Sequence, residues 1–164
     1  MLVRKVTKND DFESIGNIYA SSWKTAYHGI VPQDYLDNLS GNRWTKVLKN
    51  SEYDAFVVMD GKKYAGTSSV SPARDASMKG WGEIISIYLL PEYWGRRYAQ
   101  PLFQTSVNAL RAMGFGSVFL WVLRENIRAR KFYEKCGFEK NGDISSIVIA
   151  EKELTEIKYV KHVE

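Results

Sequence analysis

The sequence predicts an α/β fold: a mixed, mostly antiparallel central sheet with helices on both faces. Three observations lead there. Strand-like and helix-like runs alternate in the order strand, helices, hairpin, long strand, helix, strand, helix and two final strands. Residues 81–90 and Ser117–Leu123 are two apolar runs joined by a helix-length segment, which predicts one parallel pair with a right-handed crossover. Asp60-Gly61 stands between two further strand-like runs, a hairpin signal that makes those neighbours antiparallel. The 164 residues suit one domain, residues 1–164, with one substantial core.

Taken in order, residues 2–7 read as a first strand. Asn9-Asp10-Asp11 supplies a helix cap, after which Phe12, Ile15, Tyr19 and Trp23 recur at helical spacing. Residues 27–32 break that helix, and Pro32 suits the first turn of another. Asn42 is the expected cap of a short helix carrying Trp44, Val47 and Leu48. Residues 55–59 and 63–70 form the hairpin, and residues 71–80 read as a polar loop. Residues 81–90 are almost continuously apolar, as in a central strand buried on both faces, and Pro91 ends them. A helix follows over residues 99–113, where Pro101 is tolerable only because it lies in the first turn. Gly114 and Gly116 close it. Asn126 caps a last helix in which Ala129, Phe132, Tyr133 and Cys136 share a face, and Gly137 is its left-handed terminator. Residues 144–150 and 154–160 are the final strands.

Composition narrows the function. No apolar run is long enough to span a bilayer and the first residues lack a signal-like apolar core, so the expected compartment is the cytoplasm. A single cysteine, Cys136, and two distant histidines offer neither an internal disulfide nor metal-ligand spacing, so no metal site is expected. A net charge of +4 suits an anionic ligand, weak nucleic-acid binding or plain solubility. The 5 Trp and 10 Tyr are enough to wall a ligand cleft as well as fill a core.

Two segments carry candidate chemistry. Residues 91–100 join a buried strand to a helix. The start of a helix presents free N–H groups and partial positive charge to an anion. Gly95 allows close backbone approach, and Arg96 and Arg97 add donors suited to phosphate oxygens. An ordinary loop with two solvated arginines is the plain alternative. In residues 123–138, Asn126 sits at a helix start, Ala129 allows close approach, and Tyr133 follows it by four residues on the same face. A core tyrosine with a satisfied hydroxyl is the plain alternative there. Cys136 is a rival nucleophile, and an inert buried thiol is its ordinary state.

Together these segments, over residues 83–138, resemble the GCN5-related N-acetyltransferase (GNAT) superfamily. The later motif is matched by Asn126, Ala129, Tyr133, Gly137 and Phe138, and residues 87–92 also look like the family. Residues 22–30 resemble its acceptor-side helices. The loop departs from the family's Arg/Gln-x-x-Gly-x-Gly/Ala pattern. Trp94 takes the first position and Arg97 the first final glycine, while Ala99 fits the last. If that site needs φ > 0, Arg97 is strained there.

The resemblance implies an acetyl-CoA-dependent N-acetyltransferase whose parallel strands splay apart to hold the cofactor. It implies cofactor contacts from Ile87, Tyr88 and Leu89 on the strand. It implies more from Trp94, Gly95, Arg96, Arg97, Tyr98, Ala99 and Gln100 in the loop, and from Asn126, Ala129, Arg130, Phe132 and Tyr133 on the later helix. Tyr133 then serves the departing thiolate, Glu83 is the candidate base, and the Leu89 N–H polarises the thioester carbonyl. Trp23, Tyr27, His28 and Trp81 are the candidate acceptor-pocket residues. The acceptor is a small-molecule, peptide or protein amine, with neither membrane nor nucleic acid as partner, and a homodimer through the C-terminal strands is open. A CoA-binding regulatory relative without catalysis, and a nucleic-acid-binding domain, are the other readings.

Overall fold

The computed structural model describes residues 1–163. Seven strands form one sheet: β1 (Leu2–Lys5), β2 (Asp54–Asp60), β3 (Lys63–Pro72), β4 (Gly82–Leu89), β5 (Ser117–Leu123), β6 (Glu139–Ile149) and β7 (Lys152–His162). Their order is β1-β2-β3-β4-β5-β7-β6. Every pairing is antiparallel except β4 with β5, which α4 (Ala99–Ala112) connects. This is the mixed sheet with one parallel pair that the sequence predicts. No helix among the described residues is long and apolar enough to cross a membrane.

Alternation of side chains divides the core between the two faces. On one face α4 and α5 (Ile127–Lys135) cover Val58, Ala65, Ile84, Val118, Leu120 and Tyr159, with Phe103 and Phe138 at the centre. On the other, α1 (Phe12–Ala26) and α3 (Asn42–Asn50) pack Ile15 and Tyr19 against Val57 and Met59. There α2 (Gln33–Asp37) brings Leu36 to Leu123 and Leu154. Asp11 caps α1, its side chain accepting from the Glu13 and Ser14 N–H groups at 3.0 and 3.1 Å. Gly137, at φ +81°, ends α5 with the Phe138 N–H on the Tyr133 carbonyl at 3.0 Å, and this turn sends Phe138 into the core.

Four expectations are corrected. Gly41, not Asn42, precedes α3, and no side chain caps that helix. The reason is close packing of α1 on α3: a Cβ on Gly16 would meet the Gly41 carbonyl at 2.6 Å. β3 runs on to Pro72, and Ala76–Met78 is a short 3-10 turn inside the segment read as loop. Trp81 lies just outside β4. β6 begins at Glu139, five residues ahead of the strand read over 144–150; residues 139–143 are exposed and polar on the sheet's edge, so no apolar alternation marks them in the sequence. The β6–β7 turn is Ala150-Glu151, both left-handed at φ +49° and +66° without the residues that usually announce such a turn.

Candidate active site

The site originates in a defect of the sheet. Between the pairs Ser69↔Ser86 and Val70↔Ile84, β4 carries one more residue than β3, Ile85, a β-bulge. On its other side β4 pairs with β5 only at Gly82↔Val118 and Glu83↔Phe119, and then the strands part. The Leu90 N–H donates to Ala65 of β3 at 2.9 Å. By the two-residue period, the main-chain groups of Ile87 and Leu89 are therefore directed to the β5 side, where no strand meets them. The parting leaves a cavity of about 710 Å³, within the usual range for ligand sites.

At one end the cavity is walled by residues 93–95 and 97–100. Gly95 and Arg97 are both left-handed, at φ +74° and +64°. The position that departs from glycine is thus one that favours glycine, and Arg97 is strained. No side chain caps α4. The N–H groups of Gly95, Arg97, Tyr98, Ala99 and Gln100 find no acceptor among the described residues. Trp94 turns inward: its indole N–H donates to the Leu89 carbonyl at 3.1 Å. The Ser22 hydroxyl donates to the same oxygen. The Leu89 carbonyl is therefore occupied, and the Leu89 N–H is the group left for a ligand. The Arg128 guanidinium stacks over the Trp94 ring at 3.3 Å, linking loop to α5, and desolvation there lowers its pKa.

On the α5 side, Asn126 is a true cap, accepting from the Ala129 N–H at 3.2 Å, and it also lines the cavity. One turn on, Tyr133 is 8% exposed, its ring packed near Phe103 and Tyr159. Its hydroxyl makes no hydrogen bond among the described residues, and the side chain lines the cavity. Burial first, and then the neighbouring Tyr88, push its pKa up, while Arg128 opposes them. Tyr133 is consequently a protonated donor at neutral pH. Across the cavity the Tyr27 and Tyr88 hydroxyls lie 3.4 Å apart, and burial pushes Tyr27 up to about 12.

The model of the Acetyltransferase (GNAT) family matches residues 12–138, most of the chain. The chain belongs to the GNAT acetyltransferase family. An uncharacterized N-acetyltransferase, YuaI of Bacillus subtilis, is 32% identical over 128 residues, 77% of this chain and 74% of that protein. A spermidine N(1)-acetyltransferase of Thermoplasma acidophilum is 23% identical over 148 residues, 87% and 91% of the two chains. Among solved structures, the PaiA N-acetyltransferase of Thermoplasma acidophilum in complex with coenzyme A is similar with a TM-score of 0.75. It is 19% identical and covers 99% of this chain and 98% of that one, a likeness of fold.

This GNAT acetyltransferase brings most of the sequence-derived residues to the one cavity. Glu83, Ile87, Tyr88, Leu89, Trp94, Gly95, Arg97, Tyr98, Ala99, Gln100, Asn126, Ala129, Phe132 and Tyr133 line it, as do Trp23 and Tyr27. Four do not. Arg96 lies outside it. Arg130 points away to hold the Arg124 carbonyl at 2.7 Å and the Tyr159 hydroxyl at 3.3 Å. His28 is held outward by Gln33 at 2.8 Å, and Trp81 packs against His162 at 5.6 Å. Cys136 is also outside the cavity, its thiol pKa raised by burial.

Glu83 reaches the cavity with its oxygens already engaged. It is 4% exposed and accepts from Arg74 through the main-chain N–H at 3.0 Å, Nε at 3.1 Å and Nη2 at 2.6 Å. Sequence reasoning passed over Arg74, Arg128, Trp121, Ile147, Ile149 and Glu156, all of which line the cavity. For Arg128, two residues past the Asn126 cap, nothing local signals a partner as distant as Trp94.

Proposed function

We propose that this acyltransferase moves the acetyl group of acetyl-CoA to a primary amine. One observation carries the reading: the gap between β4 and β5 has unbonded main-chain N–H groups beside Arg97 at one end and an unbonded phenol, Tyr133, on its wall. The first suits a pyrophosphate. The second suits a departing thiolate. The main chain of Ile87 and the N–H of Leu89 offer an extended amide chain the bonds a missing strand would make, and the Leu89 N–H is free to polarise a thioester carbonyl.

In this reading Tyr133 donates its proton to sulfur as the C–S bond breaks. Its raised pKa keeps that proton in place until the thiolate forms. Glu83 holds Arg74 at the cavity wall, so the acceptor's proton goes elsewhere. The test is thiol release from acetyl-CoA with a panel of amines, beside a calorimetric CoA titration. Tyr133→Phe is expected to lower kcat about a hundredfold while CoA affinity stays within about twofold, since only the hydroxyl is lost. Unchanged turnover removes Tyr133 from the reaction. Binding of CoA without thiol release from any amine defeats the transferase reading.

A further inference from the structure

We propose that Glu156 receives the acceptor's ammonium group and takes its proton, and that the acceptor is a primary amine on an apolar body. This rests on the transferase reading above. The cavity wall carries two carboxylates, Glu83 and Glu156, and they are in opposite condition. Glu83 has three hydrogen bonds from Arg74 and its charge is matched. Glu156 stands on β7 opposite Leu123, the last rung of β5, on the stretch of β5 that runs on past its last pair with β4 at Phe119. It is half-buried and has neither hydrogen bond nor ion pair among the described residues.

A partly desolvated carboxylate without a partner is costly, and a cation supplied by a ligand relieves that cost. Among the described residues, none forms an ion pair with Glu156. Arg74, from the β3–β4 connection, attracts Glu156 but is bound to Glu83, whose charge repels it. On its own strand, Lys158 faces Asp143 of β6 at 2.9 Å and the Trp121 ring at 4.9 Å. Burial is the largest influence on Glu156 and raises its pKa, which makes it a better proton acceptor than a surface carboxylate.

The rest of that end of the cavity is mainly aromatic and aliphatic, its polar groups being the Tyr27 hydroxyl and the buried Trp23 indole N–H, which has no partner among the described residues. Trp23 and Tyr27 of α1 and its C-terminus, Trp121 of β5, and Ile147 and Ile149 of β6 form its walls. With Glu83 neutralised, the lining offers one free carboxylate and room for one ammonium. A second cation on the same ligand would lie against aromatic and aliphatic walls beside Arg74. An arylalkyl or alkyl monoamine fits this better than a polyamine.

The ammonium gives one proton to Glu156, and the freed nitrogen pair forms the C–N bond to the thioester carbon. The C–S electron pair leaves on sulfur, which takes the Tyr133 proton. The nitrogen's second proton returns through solvent to the Tyr133 phenolate, and Glu156 releases its own to solvent.

The experiment compares Glu156→Gln and Glu83→Gln with the wild type, using acetyl-CoA with 2-phenylethylamine or spermidine and reading thiol release from pH 6 to about pH 10, with CoA calorimetry as the folding control. Glu156→Gln is expected to keep CoA affinity and to lose about a hundredfold in kcat/KM at neutral pH. That loss should shrink towards pH 10, where alkyl amines of pKa about 10 arrive already neutral. 2-Phenylethylamine should exceed spermidine in kcat/KM by about tenfold or more, a difference of about 1.4 kcal/mol. Wild-type turnover that Glu156→Gln leaves intact, or a loss independent of pH, overturns the role of Glu156 alone. Loss with that pH signature in Glu83→Gln instead also overturns it. A preference for spermidine overturns the substrate class. Absence of thiol release from the wild type with both amines, while another amine of the panel is acetylated, overturns this proposal alone; absence with every amine overturns the transferase reading and this proposal with it.

Discussion

The two helices that flank the cleft begin differently. α5 is finished by its own sequence, since the Asn126 side chain takes the Ala129 N–H. α4 has no side-chain cap, and its third residue is Pro101, which has no N–H to satisfy. Ahead of α4, left-handed Gly95 and Arg97 fold the chain so that several N–H groups lack partners beside the cavity. A capped helix start is a structural element. An uncapped one at a cavity wall keeps its positive end for an anion. Arg97 sharpens the contrast: a left-handed non-glycine residue costs roughly 1–2 kcal/mol, and here it places a cation where a phosphate is expected.

The largest way to break this comparison is to reverse that charge. Arg97→Glu should weaken CoA binding by about ten- to a hundredfold, the range for losing a charged hydrogen bond, and calorimetry at two salt concentrations checks it. Arg96→Glu, outside the cavity, should cost far less. Equal losses would mean that long-range charge alone holds CoA, with no role for the loop's shape. A smaller effect lies in α5. Asn126→Ala should lower stability by about 1 kcal/mol in urea unfolding, with Asn126→Asp retaining most of it.

The smallest concerns α1, whose cap is a carboxylate where α5 has an amide. The hydrogen bond from the Ser14 hydroxyl, first among several, lowers the Asp11 pKa in the folded protein. Its capping contribution is therefore complete above the ordinary aspartate value of about 3.9 and fades as pH falls through the folded value. Asp11→Asn should flatten the stability–pH curve in that acid window, by less than about 1 kcal/mol. An unchanged curve would show that the cap contributes nothing that titrates.

Much of this was legible in the chain. The crossover, the Asp60-Gly61 hairpin, the Asn126 cap and the Gly137 stop are written in neighbouring residues, and all four hold. What was hidden depends on partners distant in sequence. Glu83 is a plausible base until Arg74 is seen to fill its lone pairs. Glu156 is an unremarked strand residue until the register sets it opposite Leu123. Asn42 reads as a cap because nothing local reveals that Gly16 and Gly41 touch. His28 and Trp81 read as pocket residues because an aromatic ring carries no address; Gln33 and His162 decide where they rest.

The seven strands are joined across β4 and β5 by only two rungs, Gly82↔Val118 and Glu83↔Phe119. Mechanically the sheet is a four-stranded and a three-stranded piece sharing a short hinge, with α4 as the tether. An extended molecule lodged in the gap and bonded to the open edge stitches the pieces into one. Occupancy and stiffness then become the same variable. Resistance to heat should climb with the logarithm of ligand concentration.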